Sequence, residues 1–267
     1  MKKYLYIIAL LSITIFLTSC DNDSSSNPSN GKYMPTLNTE LTYKTTNLFE
    51  IYDEFGRIVD TMEIMENDII SVVKILSVDD SLPGYRDLLR FNVGNSSTWY
   101  INNDTAFFAV AYNNPGGYWV FPKMSSKRYL TISEAKEIIS MMNKDIAIPN
   151  SVLSDSVQYY ESPRVVVKYP LYVGQKWIEL SLPSFLARER VVKDVKVINA
   201  AGLNFQCFEN VAEISNLHLK ITDYFNITTG IIKRVVLSDS VELRSADNPE
   251  GTGWGKLTTE SILIEKR

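Results

Sequence analysis

Beyond residue 36 apolar and polar side chains alternate with a period of two, interrupted at short intervals by Gly, Asn, Asp and Pro. That period puts successive side chains on opposite faces of a strand and predicts extended structure almost throughout. The runs 41–52 and 57–65 flank Asp53-Glu54-Phe55-Gly56 and read as a hairpin. The run 69–78 is dense in β-branched residues, and 88–93, 99–101, 106–112 and 118–121 follow, each bounded by turn residues. The second half continues with 164–169, 175–181, 188–199, 205–214, 217–225, 231–237 and 254–264. In 217–222 the alternation is clean, with Leu217, Leu219 and Ile221 inward. His218, the sole histidine, then shares the polar face with Lys220 and Thr222.

One segment follows a helical period instead. Thr131-Ile132-Ser133-Glu134 has the capping-box pattern, and Ile132, Ala135, Ile138, Ile139 and Met142 line one face, predicting a helix over 131–144 laid against a sheet. Pro149-Asn150 and Ser162-Pro163 bracket a connecting region, which would divide the globular part, 36–267, into two halves near 149–163. The expected fold class is mainly β: a curved antiparallel sheet or incomplete barrel with one amphipathic helix.

The N-terminal segment departs from both patterns. Met1-Lys2-Lys3 precedes an uncharged apolar run, 5–17, too short to span a bilayer, and Leu17-Thr18-Ser19-Cys20 closes it. The closing tetrapeptide resembles the lipobox of bacterial lipoproteins. The resemblance implies removal of residues 1–19 and palmitate-type acyl chains on Cys20, each buried methylene contributing about 0.8 kcal/mol to membrane binding. The rival reading is an ordinary secretory signal, cleaved and lost; the polar run Asp21-Asn22-Asp23-Ser24-Ser25-Ser26 directly after Cys20 favours the lipoprotein. Residues 20–35 contain almost nothing apolar and read as a flexible tether. The acidic and serine residues from Asp21 to Ser26 resemble the surface-export signal of Bacteroidetes-type lipoproteins, although a plain spacer explains the same composition. The implied location is the outer membrane, on its periplasmic or cell-surface face, with the membrane held as partner through the lipid anchor.

Charge and cysteine content narrow the partners. The 267-residue chain has a formal net charge of −4. Residues 1–19 carry Lys2 and Lys3 and no acid, so the remaining 248 residues hold 25 basic against 31 acidic side chains, a balance of −6. A mildly acidic surface argues against nucleic acid and against attraction to anionic headgroups. With Cys20 acylated, Cys207 has no disulfide partner, and a chain of this length buries a sufficient core without one. Set among Phe205-Gln206-Cys207-Phe208, it reads as a buried inert thiol.

Three patterns recur in fixed order: Tyr169-Pro170-Leu171-Tyr172-Val173-Gly174-Gln175-Lys176-Trp177, then Ala201-Gly202-Leu203-Asn204-Phe205-Gln206-Cys207-Phe208, then Thr229-Gly230-Ile231-Ile232-Lys233-Arg234. Together they are similar to a broad class of uncharacterised bacterial lipoproteins and periplasmic proteins. That resemblance implies a strongly curved antiparallel sheet and no agreed catalytic residues. On physical grounds Gly174, Gly202 and Gly230 supply turns, while Trp177, Phe205 and Ile231 fill a core.

Chemistry is sparse. The sequence has no Gly-rich phosphate loop, nucleophile elbow or Cys/His cluster, so neither cofactor nor metal is expected. Asp79-Asp80-Ser81 reads as a solvated turn, and Asn102-Asn103-Asp104 as a hairpin tip rather than a calcium loop. Trp99, Tyr100, Tyr118 and Trp119 form a candidate platform for a sugar ring or an apolar ligand; a core with a cross-strand aromatic ladder explains the same residues. Five triplets of Asp, hydroxyl residue and small or aliphatic residue, centred on Thr61, Ser81, Thr105, Ser156 and Ser240, resemble the O-glycosylation sequon of exported Bacteroidetes proteins. Strand-end turns favour the same pairs. The leading functional expectation is a lipid-anchored, non-catalytic binding module of the envelope, for a glycan, an apolar molecule or a protein. A structural or assembly lipoprotein docking an outer-membrane complex is the alternative, and a glycan- or ester-active enzyme the third.

Overall fold

The computed structural model describes residues 31–53, 58–63, 69–76, 82, 84–94, 96–113, 129–131, 157–180, 188–214, 219–245 and 248–267. Within them the chain is strand after strand, as the period-two pattern requires. The fourteen are β1 (Thr39–Asp53), β2 (Ile58–Glu63), β3 (Ile69–Leu76), β4 (Leu89–Val93), β5 (Ser96–Asn102), β6 (Ala106–Tyr112), β7 (Tyr129–Thr131), β8 (Gln158–Lys168), β9 (Lys176–Leu180), β10 (Arg188–Ala200), β11 (Leu203–Ile214), β12 (Leu219–Asn226), β13 (Gly230–Ser245) and β14 (Asn248–Lys266). The helix expected over 131–144 lies outside the described residues except for Thr131, which ends β7.

All fourteen strands belong to one sheet, running β8-β6-β5-β4-β3-β1-β14-β13-β12-β11-β10-β9, with β2 added on β1 and β7 on β13. Neighbours along this path pair antiparallel, whereas β7 and β13 pair parallel. The first long strand therefore lies beside the last: Tyr43 stands opposite Leu263 and Leu48 opposite Thr258. The sheet curls until its two ends meet. Across the seam Trp177 Nε1 of β9 donates to the Val165 carbonyl of β8 at 3.0 Å, and Arg164 of β8 bonds Glu179 of β9. The result is the curved, nearly closed antiparallel sheet that the alternation predicts.

Local chemistry sets the register. Ala201 (φ 49°) and Gly202 (φ 72°) form the two-residue turn between β10 and β11, with Ala200 opposite Leu203; two successive positive φ angles match the twist of a hairpin. Ser162-Pro163, expected as a break, lies inside β8. Proline is tolerated there because the β6–β8 pairing shifts register between Ala109 and Ala111, freeing that stretch from the ladder.

The core fills the inside of the curl. Tyr43, Val73, Phe91, Tyr100, Phe107, Phe208, Phe225 and Leu263 belong to one buried cluster. Tyr33, within the stretch read as tether, is also buried, at 1% exposure. Its ring meets Phe107 and Phe225 edge-on, at 5.2 and 5.1 Å between centroids. A Cβ on Gly230 would lie 2.9 Å from the Tyr33 hydroxyl, and Gly230 holds φ 99°, so glycine is required there twice over. A smaller cluster of Leu82, Leu88, Trp99, Val110 and Ala111 packs on the outer face of β5 and β6.

Candidate functional site

The interior changes character at one level. Reading across strands in register, Phe208 stands opposite Phe225 and Leu263 opposite Tyr43, an apolar row. Two residues further along each strand, alternation brings Asn210, Asp223, Arg234, Ser261 and Thr45 to the same inner face. They too are in register, Asn210 opposite Asp223, Asp223 opposite Arg234, Arg234 opposite Ser261, and Ser261 opposite Thr45. Beyond them Ala212, Ile221 and Val236 are apolar and buried again. A polar belt is thus enclosed between two apolar layers.

Charge concentrates where the belt crosses the seam. Arg164, Glu179, Arg188, Arg190, Asp223 and Arg234 are all buried. Arg164 Nε donates to Glu179 Oε1 at 2.6 Å, Arg190 Nε to Glu179 Oε2 at 2.7 Å, and Arg188 Nη1 to Glu179 Oε1 at 3.3 Å. Arg190 Nη1 then bridges to Asp223 Oδ2 at 2.7 Å. Arg234 grips Asp223 with two bonds, Nε to Oδ1 at 2.6 Å and Nη2 to Oδ2 at 2.9 Å. The chain of ion pairs ties β8, β9, β10, β12 and β13 together and so holds the curl shut. Burial pushes the Glu179 carboxyl up, but Arg164, Arg190 and Arg188 outweigh it and hold it far below the usual carboxylate range. Burial likewise opposes ionisation of Asp223, and Arg234 and Arg190 keep it low. On the far side of the belt the Thr45 and Ser261 hydroxyls pair at 2.8 Å.

The expected platform does not form from Trp99 and Tyr100. Adjacent residues of one strand face opposite ways, and both faces of β5 are covered: Trp99 is 4% exposed in the outer cluster, Tyr100 0% in the inner core. Tyr118 and Trp119 lie outside the described residues, as do Cys20, Ser81, Ser156 and His218. Thr61 falls in β2 and Ser240 in β13. Thr105 is exposed at the β5–β6 tip. There Asn103 Oδ1 accepts bonds from Thr105 N, Thr105 Oγ1 and Ala106 N at 2.9, 2.8 and 3.0 Å, the chemistry of a turn. Asp104 beside it is 98% exposed and pairs with Lys32. Among the described residues no three His, Cys, Asp or Glu side chains gather into a metal-holding group.

Cys207 is buried, with its Sγ 3.5 Å from the Phe205 carbonyl. Burial pushes its thiol up to about 12, so the reactive thiolate is scarce at neutral pH. Thiol reagents should therefore label the native protein slowly, at a rate limited by opening, and Cys207→Ala should cost about 1 kcal/mol. Rapid labelling without denaturant would contradict this placement.

No protein-family model matches the chain, and no curated protein matches it significantly. Among solved structures it is similar to a candidate exported protein with a YmcC-like fold from Bacteroides fragilis, at TM-score 0.32 and 8% identity, over 88% of this chain and 99% of that one. A candidate lipoprotein from Parabacteroides distasonis gives 0.28 and 12% over the same shares. Likeness at this level does not establish a common fold.

Proposed function

We propose that the chain is a lipid-anchored, non-catalytic binding module of the cell envelope, with its ligand held inside the curled sheet. The polar belt carries this reading. Closing a seam needs a few cross-strand contacts, whereas Asn210, Asp223, Arg234, Ser261 and Thr45 stand in register on the inner face, with Arg164, Arg188 and Arg190 also buried, an interior whose polarity suits a polar ligand. The absence of a catalytic role is supported by the state of the two acids. Arginines hold Glu179 and Asp223 ionised and occupy their lone pairs, so neither is disposed to donate a proton near neutral pH. The outer-membrane location is read from the lipobox-like segment alone, and the membrane is then a partner through acyl chains on Cys20. O-glycosylation within that envelope reading falls on Thr105, exposed at its hairpin tip.

Cys20→Ser should move the protein wholly from the membrane to the soluble fraction, because among the described residues no helix is long and apolar enough to cross a bilayer. Co-sedimentation of the variant through a detergent-free high-salt wash would sink the anchor. Binding is tested on the same released protein by native mass spectrometry from envelope extract. A mass excess that disappears on denaturation is expected, and a bare-chain mass throughout would sink the binding reading. The docking alternative draws on Val173, Val197 and Leu203, each more than half exposed near the β8–β9 connection and on the β10–β11 hairpin.

A further inference from the structure

We infer that the end of the curl from which the tether leaves lies on the bilayer, with Met34, Val197 and Leu203 set into the boundary between headgroups and acyl chains. The inference rests on the lipid anchor at Cys20 and adds to it a second contact made by the protein itself. Tyr33 fixes where the chain leaves. Its ring is enclosed between Phe107 and Phe225, its carbonyl accepts from Asn102 Nδ2, and Lys32 before it pairs with Asp104 at the β5–β6 tip. Eleven residues separate Lys32 from Cys20, and fully extended they reach about 40 Å at most. Setting the opposite end on the bilayer would need them to run back along the sheet, where β1 alone amounts to about 50 Å of strand.

The tether end displays apolar side chains. β11 pairs with β12 only from Phe208 onward and β10 with β9 only as far as Val191, so residues 194–207 form a two-stranded ribbon that runs past its neighbours. Ile198 and Phe205 pack against the core, whereas Val197 and Leu203 stand 66% and 59% exposed. Met34, beside the enclosed Tyr33, is 73% exposed. The three share one neighbourhood. Met34 N donates to the Ile227 carbonyl at 3.4 Å, Asn226 at the start of the same turn donates through Nδ2 to the Gln206 carbonyl at 2.9 Å, and Gln206 stands opposite Val197. Leu203 opens β11 three residues earlier, at the hairpin turn. One exposed apolar side chain calls for no partner, but three at the end nearest a lipid anchor suit a lipid surface. Ion pairs around them, Lys32 with Asp104, Lys196 with Glu209 and Arg267 with Glu265, match charge locally, so apolar area rather than headgroup charge drives the contact. Three side chains bind a bilayer weakly by themselves. The anchor makes the contact intramolecular and raises the effective concentration of lipid, so Cys20→Ser still releases the chain.

Fluorescence quenching in vesicles tests this. The acylated full chain carrying Leu203→Cys is labelled with a nitrobenzoxadiazole dye, Cys207 being buried, and reconstituted in phosphatidylcholine vesicles. Lipid bearing a spin label at a shallow acyl carbon should quench the dye at least twofold and shift its emission to the blue. The same dye at Glu213→Cys, exposed towards the opposite end of β11, should stay unquenched. No quenching at Leu203, equal quenching at both positions, or quenching that needs anionic lipid would each overturn the inference. So would a dye that is unquenched on vesicles and shielded once envelope extract is added, which assigns the surface to a protein. Should labelling perturb the hairpin, hydrogen exchange of the wild-type chain decides. Amides of 197–206 slowed on vesicles relative to the released Cys20→Ser chain support the contact, and equal rates overturn it. A chain that fails to float with the vesicles sinks the anchor itself, whereas a floating chain with an unquenched dye sinks this contact alone.

Discussion

Glu179→Gln should destabilise the protein by about 3–5 kcal/mol, because it strands buried guanidiniums around a neutral amide. Glu179 accepts from Arg164, Arg188 and Arg190, and its side chain is fully enclosed. The change is nearly isosteric, so the loss reports charge rather than volume. A surface pair on the same two strands gives the contrast. Lys176 and Glu189 approach to 3.3 Å with side chains 63% and 49% exposed, and Glu189→Gln should move stability by less than about 0.5 kcal/mol. Urea unfolding of both variants at neutral pH measures the difference, and equal small losses would remove the belt's claim to hold the seam. Acid gives a second reading of the same group. The folded-state value of Glu179 is depressed, so its contribution is complete above the ordinary carboxylate range, near 4.5, and is lost as pH falls below it. The wild-type urea midpoint should fall steeply with pH in that window, and the slope should be shallower in Glu179→Gln.

Phe107→Ala should cost a similar 3–5 kcal/mol, for an unrelated reason. Phe107 stacks on Tyr100 at 4.6 Å between centroids, tilts against Phe91 at 5.8 Å and meets Tyr33 edge-on. Its removal leaves a cavity among three rings, each anchored on a different segment and unable to close the gap. Denaturant unfolding should show a lower midpoint with an unchanged slope. A loss below about 1.5 kcal/mol would mean that Tyr33 and its neighbours collapse into the space.

Much of the fold was legible because period-two alternation survives in nearly every strand, and because turn residues punctuate it. Ala201-Gly202 marks its hairpin, and the β11–β12 pairing, Phe208 with Phe225 through Ile214 with Leu219, follows from the parity of Leu219 and Ile221. The belt was written in the same parity and escaped reading. Asp223 sits on the face of Ile221 and Phe225, and Arg234 between Ile232 and Val236, so each is a charge at an apolar position. In β10 the register shift between Val192 and Asp194 hides the parity of Arg188 and Arg190. Trp99 and Tyr100 were misplaced for the opposite reason. Clustering in sequence suggested one surface, but Trp99 and Tyr100 are neighbours on a strand packed on both sides. Tyr33 gave no periodic signal at all, being a lone ring in a polar stretch that fills a place prepared by distant strands.

The pairing of β1 with β14 sets the order in which this chain can fold. β1 lies in the middle of the path, between β3 and β14, not at an edge. Until residues 248–266 are present, β1 and β13 each lack one neighbour, so both present a bare edge along this line. Contacts this distant in sequence make folding slow, since a long loop must close before they form. A chain synthesised N-terminus first would therefore stay open along this line until β14 is made, exposing β1 and β13 as pairing surfaces in the interval.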